Sequence, residues 1–448
     1  MGVGSRVTHL PYINKTVPFN FRGIGFSFDL SQGLFSSAGV DAGTQFLLKV
    51  FSKFLDEDIA AGRLLPRRVL DAGCGTGVIG ICAASALSGE DGLYVRCQDR
   101  DELARLVTSH NAAKNNIPSA VLEAFTEPLL AGSANDKWDL ILTNIPAKAG
   151  NPVLEDFVSR SCSLLSPEGR VIMVVVNTLA DFFREAITAA GTKLLSEEKS
   201  SAHTVFVYRG ETESPVNPVI MDPGFIDRYP FYARARPVFT IEEIQIELET
   251  IHGASGFDKP GGAVLAAAKL LRRLGKEKIP KVGTPVLVHE PGQGFFTNWL
   301  FEFLRAANGQ KMVFSGRNIL SLEAARHNAG SVNGAAVSAV PAVDLQFGKG
   351  ALLEAGGGQF SFISAFPELL PQNSMSKAAK ASQDTDQLQL LWNSLPPLLA
   401  VGGLFLAAFG SSDAERFDRK KPAGFTRLGS VKRDGFCALA YKRAGAGD

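Results

Sequence analysis

Three short stretches hold residues whose types and spacing could do chemistry. The first, Gly73-Cys74-Gly75-Thr76-Gly77, follows the apolar Val69-Leu70 and opens the segment GVIGICAASAL. Glycines at alternate positions after a strand permit a tight turn and let the backbone approach a ligand closely. Asp71 lies just inside the strand end, where a carboxylate suits a ligand ammonium better than a phosphate. No lysine follows the loop as it does in phosphate-binding turns. The second stretch is Asp99-Arg100, which ends the run LYVRCQD. An acid at the end of the next strand is placed to accept hydrogen bonds from two ribose hydroxyls. The third is TNIPAKAG, Thr143 to Gly150, which ends the run WDLIL and offers Asn144, Ile145, Pro146 and Lys148. A strand running into a Pro turn would account for this stretch taken alone. Its place at the carboxyl edge of a sheet, where ligands bind in such folds, weighs the other way.

The elements that must position these residues alternate regularly. RRVLDAG, LYVRCQD, KWDLILTN and GRVIMVVV read as strands, with HTVFVYRG closing the sheet. Between them GVIGICAASAL, DELARLVTSHNAAKN, PVLEDFVSRSCSLL and ADFFREAITAAG read as helices. Strands alternating with helices of this length predict an α/β fold with a doubly wound sheet.

The pattern then recurs. SHNAAKN at 109–115 is echoed by RHNAGSV, in which Asn328 stands 217 residues after Asn111. The same offset aligns Val69-Leu70 with Val286-Leu287, Gly75 with Gly292, Gly77 with Gly294 and Arg100 with Arg317. Beyond that, Pro146 matches Pro367 and Tyr208 matches Tyr441 across a polar insert, QNSMSKAAKASQDTDQ. Two copies of one domain are therefore expected, residues 1–212 and 213–448, joined by the Pro-rich TESPVNPVIMDPG. The second copy has lost the chemistry: Val288 replaces Asp71, Glu290 replaces Gly73, Gly316 replaces Asp99 and Ala365 replaces Asn144. A carboxylate at Glu290 is expected to oppose a carboxylate on the ligand, and no cofactor is expected there.

Composition bounds the rest. The chain has 448 residues, 45% hydrophobic and 20% charged, as in ordinary soluble proteins. No apolar run reaches the roughly 18–20 residues of a membrane span, and the first residues show no apolar signal core. A myristoylation reading of MGVGSR is weak, since position 6 is arginine. A cytoplasmic protein is expected. Five cysteines in apolar surroundings, with no CxxC pair, read as buried reduced thiols. The six histidines show no metal-ligand spacing, so no metal is expected, and His110 and His327 read as helix-surface residues. Net charge is +1, with −3 in residues 1–212 and +4 in residues 213–448. The excess sits in two runs, Lys269 to Lys281 and Arg416 to Lys421. Such runs are usually solvated faces, and they would also suit a phosphate backbone.

VLDAGCGTG, with Asp99 at its spacing, resembles the class I S-adenosylmethionine-dependent methyltransferases. The segment GLFSSAGVDAGTQFLL (Gly33 to Leu48) and the closing VYRG (Val207 to Gly210) are similar to segments of the methyltransferase small-domain family, which includes bacterial rRNA guanine-N2 enzymes. The resemblance runs from about Phe26 to Gly210. It implies S-adenosylmethionine as cofactor, held by Asp71, Gly73, Cys74, Gly75, Thr76, Gly77, Asp99 and Arg100, with Asn144 between cofactor and acceptor. It also implies two duplicated domains, one active and one degenerate, with the degenerate copy supporting stability and RNA binding; here the intact copy comes first, the reverse of the family's order.

TNIPAKAG departs from the family's Asn-Pro-Pro-aromatic motif at two letters. In the family the Asn oxygen and the next carbonyl accept the hydrogens of an exocyclic amine, which aims the nitrogen lone pair at the methyl group. Asn144, the carbonyl of Ile145 and Pro146 preserve that pattern. Ala147 lacks the aromatic platform, worth about 1–3 kcal/mol per stacked base. Phe35, or Phe26 and Phe28, could supply a face instead, although core packing is the ordinary fate of such residues. Lys148 could contact a phosphate or carboxylate, although a solvated turn lysine is commoner. The resemblance implies an N-methyltransferase acting on guanine N2 of rRNA, with rRNA or a ribosomal subunit as partner. Adenine N6 in RNA, a protein glutamine amide, a small metabolite, and a cofactor-binding RNA scaffold without turnover are the alternatives. Oligomeric state is not indicated.

Overall fold

The computed structural model describes residues 12–132, 136–210, 229–254, 256, 259–279, 284–304, 311–333, 336–369 and 386–445. The chain divides near residue 221 into two compact units. The expected linker and most of the polar insert lie outside the described residues.

In the first unit a hairpin of β1 (Lys15–Phe21) and β2 (Ile24–Leu30) leads to α1 (Ala42–Ala60). Then follow β3 (Arg68–Ala72), α2 (Val78–Ala86), β4 (Tyr94–Asp99), α3 (Glu102–Lys114), β5 (Leu122–Thr126), β6 (Trp138–Asn144), α4 (Asn151–Ser163), β7 (Leu165–Val176), α5 (Ala180–Ala189), β8 (Thr192–Lys199) and β9 (His203–Gly210). The sheet order is β5-β4-β3-β6-β7-β9-β8. β3 to β7 run parallel, while β9 is antiparallel to both β7 and β8. Val69, Leu70, Leu140, Ile141 and Leu142 are fully buried, as the central strands of a sheet covered on both faces must be. HTVFVYRG is β9, and it does not close the sheet: it lies between β7 and β8. The edge is β8, TKLLSEEK, which buries none of its side chains and shows no alternating apolar pattern.

The second unit opens with β10 (Ala233–Ala235), β11 (Val238–Ile241), β12 (Ile244–Glu247) and β13 (Thr250–Ile251). It continues through α6 (Gly262–Leu274), β14 (Val286–His289), α7 (Phe295–Leu304), β15 (Lys311–Gly316), α8 (Ile319–Asn333), β16 (Ala336–Pro341), α9 (Lys349–Gly356) and β17 (Phe360–Ala365). The last elements are α10 (Gln387–Leu398), β18 (Leu399–Gly410), α11 (Ser411–Arg419), β19 (Phe425–Arg433) and β20 (Phe436–Arg443). Its sheet, β16-β15-β14-β17-β18-β20-β19, repeats the order of the first strand for strand. Two doubly wound domains are thus present. The segment RYPFYARARP, whose purpose the sequence leaves open, is described from Tyr229 onward; it buries Tyr229 and Tyr232 and supplies β10, which pairs with β13 in one of the two small sheets that open this unit.

The echoed Asn is structural in both units. Asn111 Oδ1 accepts the Asp29 N–H at 2.8 Å, and its Nδ2 donates to Asp29 O at 2.9 Å and Thr76 O at 2.8 Å. Asn328 does the same with Glu249 N–H, Glu249 O and Gln293 O, at 2.9, 3.0 and 2.9 Å. One turn further along α3, Asn115 grips Ser27 through its N–H at 2.9 Å and its carbonyl at 3.0 Å. The spacing works because four helix residues rise about 6 Å and two strand residues about 6.6 Å. His110 and His327 are not merely surface residues. Each stands 2.7 Å from the acid of its own hairpin, Asp29 or Glu249.

The two basic runs of the second unit do not share a face. α10 and α11 share one apolar cluster with Phe405, Ala407 and Phe409 of β18, a cluster to which α6 contributes nothing. α6 packs on the other side of the same strands, with Leu270 and Leu274 against Gly429. Several of the basic groups are already paired: Arg272 with Glu243, Arg416 with Asp413 and Lys420 with Asp386.

Asn111→Ala is expected to cost about 3 kcal/mol or more, because it strands three backbone groups worth about 1–3 kcal/mol each when buried without partners. Asn115→Ala, at a more exposed rung, should cost less. Urea denaturation followed by circular dichroism compares the two.

Candidate active site

The three chemistry-bearing stretches converge at the carboxyl ends of β3, β4 and β6. Thr143 Oγ donates to Ala72 O at 2.7 Å, which locks the end of β6 against the residue before the glycine loop. Gly73 and Cys74 both donate their N–H to Gln98 O, tying the loop to β4. Gly73, Gly75 and Gly77 all have positive φ, at 85°, 55° and 83°. At Gly77 a Cβ would stand 2.8 Å from Thr108 Cγ2, so α3 closes that side. At Gly75 a Cβ would meet nothing within 4 Å, so the open side of the loop is there.

Asp99 is held from both sides: Gly75 N–H donates to one carboxylate oxygen at 3.1 Å and Asp101 N–H to the other at 3.0 Å. Burial and the nearby Asp101 push its carboxyl upward against those two hydrogen bonds. Asp71 is fully buried. Its Oδ2 accepts the Gly80 N–H from the first turn of α2 at 2.8 Å, and its Oδ1 is buried without a partner. Burial, with the Asp99 charge adding to it, pushes Asp71 up to about 7 despite the Gly80 hydrogen bond.

Not every residue of the expected set offers its side chain. Cys74 is buried with its sulfur 3.4 Å from Thr108 Oγ, and burial pushes its thiol up. Thr76 is buried too, so these two act on the loop through their backbone. Arg100, Pro146, Ala147 and Lys148 are exposed. Phe26 and Phe28 are core, whereas Phe35 is 69% exposed. Asn144, partly buried, donates through Nδ2 to Asp41 Oδ2 at 2.9 Å and Thr44 Oγ at 3.1 Å. Asp41 caps α1 by accepting the Thr44 N–H at 3.2 Å. Asp41 and Thr44 lie in GVDAGTQ, within a stretch that sequence similarity highlighted without assigning a role.

The cofactor implied by the resemblance fits this cradle on two observations. The buried Asp71 Oδ1 is a polar atom without a hydrogen-bond partner, and the space over Gly75 is open to a ligand next to the Asp99 carboxylate. The matching place in the second unit is filled from within. Glu290, at φ 54°, folds its carboxylate over Gly316, where a Cβ would stand 3.0–3.3 Å from it, and accepts the Arg317 N–H at 2.9 Å. Glu290 therefore occupies the side of the ribose acid; it is not aimed outward against a ligand carboxylate as expected from sequence. Among the described residues no group of three metal-ligating side chains gathers, and no helix is long and apolar enough to cross a membrane.

Because the folded state holds the Asp71 proton up to about pH 7 and the unfolded chain releases it near 4, folding takes up a proton between those values. Stability therefore falls as pH rises through that window. Asp71→Asn removes this slope, so the variant should gain on the wild type between pH 5 and pH 8 in urea melts; parallel curves would show that Asp71 titrates normally.

Residues 25–194 match the methyltransferase small domain family model. The chain is 30% identical over 145 residues to ribosomal RNA small subunit methyltransferase C of Actinobacillus pleuropneumoniae, covering 32% of this chain and 40% of that one. It is 28% identical over 182 residues to ribosomal protein L11 methyltransferase of Thermotoga neapolitana, covering 40% and 61%. An uncharacterized Bacillus subtilis protein is 27% identical over 36% of this chain and 74% of its own. The matches thus span between two fifths and three quarters of these relatives. A T. thermophilus 16S rRNA N2 methyltransferase, solved with AdoMet and guanosine, superposes over 96% of this chain and 99% of its own with a TM-score of 0.59 at 17% identity, a likeness of fold across both units. Residues 25–194, which carry the glycine loop, Asp99 and Asn144, thus match the methyltransferase small domain family model, on a fold like that of class I methyltransferases.

Proposed function

We propose that the first unit binds S-adenosylmethionine and methylates an exocyclic amino group, with guanine N2 of ribosomal RNA as the acceptor. The observation that carries this reading is the Asn144 carboxamide at the mouth of the cradle, its nitrogen engaged by Asp41 and Thr44. When bound, the cofactor supplies an electrophilic methyl on a sulfonium. Asp99 accepts the ribose hydroxyls, the glycine loop admits the ligand backbone-close, and Asp71 Oδ1 faces the amino-acid end. Asn144 Oδ1 accepts one hydrogen of the substrate amine. The Pro146 carbonyl already accepts the Ala149 N–H at 3.0 Å, which leaves the Ile145 carbonyl for the second hydrogen. The amine needs no strong base before attack, since positioning does most of the work and the product ammonium sheds its proton readily.

The ribosomal acceptor rests on likeness to the relatives, whose names point to small-subunit RNA and to protein L11. The two-unit fold shared from end to end with the 16S rRNA enzyme favours RNA. With Ala147 in place of an aromatic and Phe26 and Phe28 in the core, Phe35 is the ring available to stack on a base. The second unit, its cleft filled by Glu290, supports the first and contributes to RNA binding. A different acceptor, such as adenine N6, a protein glutamine amide or a small metabolite, is favoured by one observation: the basic runs lie on opposite sheet faces, and Arg272, Arg416 and Lys420 are already paired.

Asp99→Ala should weaken S-adenosylmethionine binding at least tenfold in calorimetry, and unchanged affinity would move the site elsewhere. Asn144→Ala should bind the cofactor normally and lose methyl transfer. Mass spectrometry of rRNA nucleosides from a deletion strain should show one N2-methylguanosine lost; an unchanged profile would exclude the RNA acceptor.

A further inference from the structure

Asn144 is a symmetric-looking group with an asymmetric task, because its carboxamide presents either an acceptor or a donor depending on which way it is turned. The neighbours decide. Asp41 Oδ2, at 2.9 Å, is a carboxylate oxygen and can only accept, so the atom facing it must be Nδ2. Thr44 Oγ, at 3.1 Å, takes the second hydrogen of the same nitrogen. Both hydrogens of Nδ2 are thereby engaged inside the protein. Oδ1 is the atom left for a ligand, and it takes no hydrogen bond among the described residues.

Asp41 is itself fixed. As N-cap of α1 its Oδ2 accepts the Thr44 N–H at 3.2 Å, so the same oxygen holds the helix end and the Asn144 amide. The space beside it admits no side chain: a Cβ at Gly43 would stand 2.8 Å from Asp41 Oδ2 and 3.0 Å from the His203 ring. Asn144 comes from β6 and the other two from the start of α1, about a hundred residues earlier in the chain.

From this geometry we infer that Asp41 and Thr44 are positioning residues that set the Asn144 carboxamide with its oxygen toward the substrate. The inference rests on the reading of Asn144 given above and sharpens it. A site with its acceptor locked outward takes a substrate atom that carries a hydrogen to donate, as an exocyclic amine or a carboxamide nitrogen does. It rejects a carboxylate or a ring nitrogen with no hydrogen, because acceptor would then face acceptor. Releasing the lock lets the amide turn over and present Nδ2, a donor facing a donor.

Asp41→Asn separates this role from a structural one, because asparagine caps a helix about as well as aspartate but can donate as well as accept. The test uses the full chain, S-adenosylmethionine labelled in its methyl group, and total RNA from cells lacking the protein. The variant should keep its melting temperature and its cofactor affinity, and lose at least tenfold in kcat with KM little changed. Thr44→Val should lose transfer, and Thr44→Ser, which restores the hydroxyl, should recover it. An independent readout is the Asn144 side-chain amide pair in a nitrogen–proton correlation spectrum, identified by its disappearance in Asn144→Ala. Those signals should shift in Asp41→Asn while the rest of the spectrum holds. Wild-type turnover together with unmoved Asn144 signals in Asp41→Asn would overturn the positioning role. Full transfer by Asn144→Ala would instead overturn the reading of the site itself, and the amide signals alone would then decide whether Asp41 sets the carboxamide.

Discussion

The fork made by Asn111 joins three parts of the first unit at a single side chain: the N-terminal hairpin, helix α3 and the glycine loop. β2 pairs with β1 on one side only, and Pro18, which has no N–H, stands opposite Ser27. The N–H and C=O groups of Ser27 and Asp29 therefore face away from β1. Asn111 and Asn115 accept and donate to them as a neighbouring strand would, so two carboxamides on a helix stand in for a strand. The same Asn111 nitrogen reaches the Thr76 carbonyl and so transmits the hairpin's position to the turn on which a ligand would rest. Asp29 is tied further by Thr16, His110 and Lys114, whose hydrogen bonds overcome its burial and hold its carboxyl well below the usual range.

The site built on this frame is acidic and assembled from carbonyl and carboxylate acceptors. Burial pushes both carboxyls up, with the Asp99 charge adding to the push on Asp71 and Asp101 to that on Asp99, and Asp71 is left one oxygen short of a partner. Such a pair is a poor neighbour for a phosphate and a suitable one for a ligand with a positive end. Structural demand alone does not require an unpaired buried carboxylate oxygen beside a turn of three left-handed glycines, and their joint presence separates this unit from its twin.

Much of this was legible in the sequence because the informative residues sit at strand ends, where an apolar run stops and a polar residue begins. Asp71, Asp99 and Asn144 are all of this kind, and the repeat gave a control in which all three are replaced. What could not be read depended on partners far along the chain. His110 and His327 look like surface residues until the hairpin acid about 80 residues away is placed beside them. β8 carries no apolar signal because one side of an edge strand is water. The direction of Glu290 was also out of reach, since an acid in place of a glycine says nothing about where its backbone will aim it. Spacing in sequence likewise put the two basic runs in one half without showing that the sheet separates them.

That arrangement at Glu290 couples two positions. In the first unit the acid comes from Asp99 and the turn from Gly73; in the second, Gly316 and Glu290 have exchanged those parts. An aspartate at Gly316 alone would drive its side chain into a carboxylate about 3 Å away, while Glu290 itself sits at φ 54°, where glycine is the preferred residue. An acid fits at Gly316 only after Glu290 has given way, so the order of the two changes matters as much as their identity.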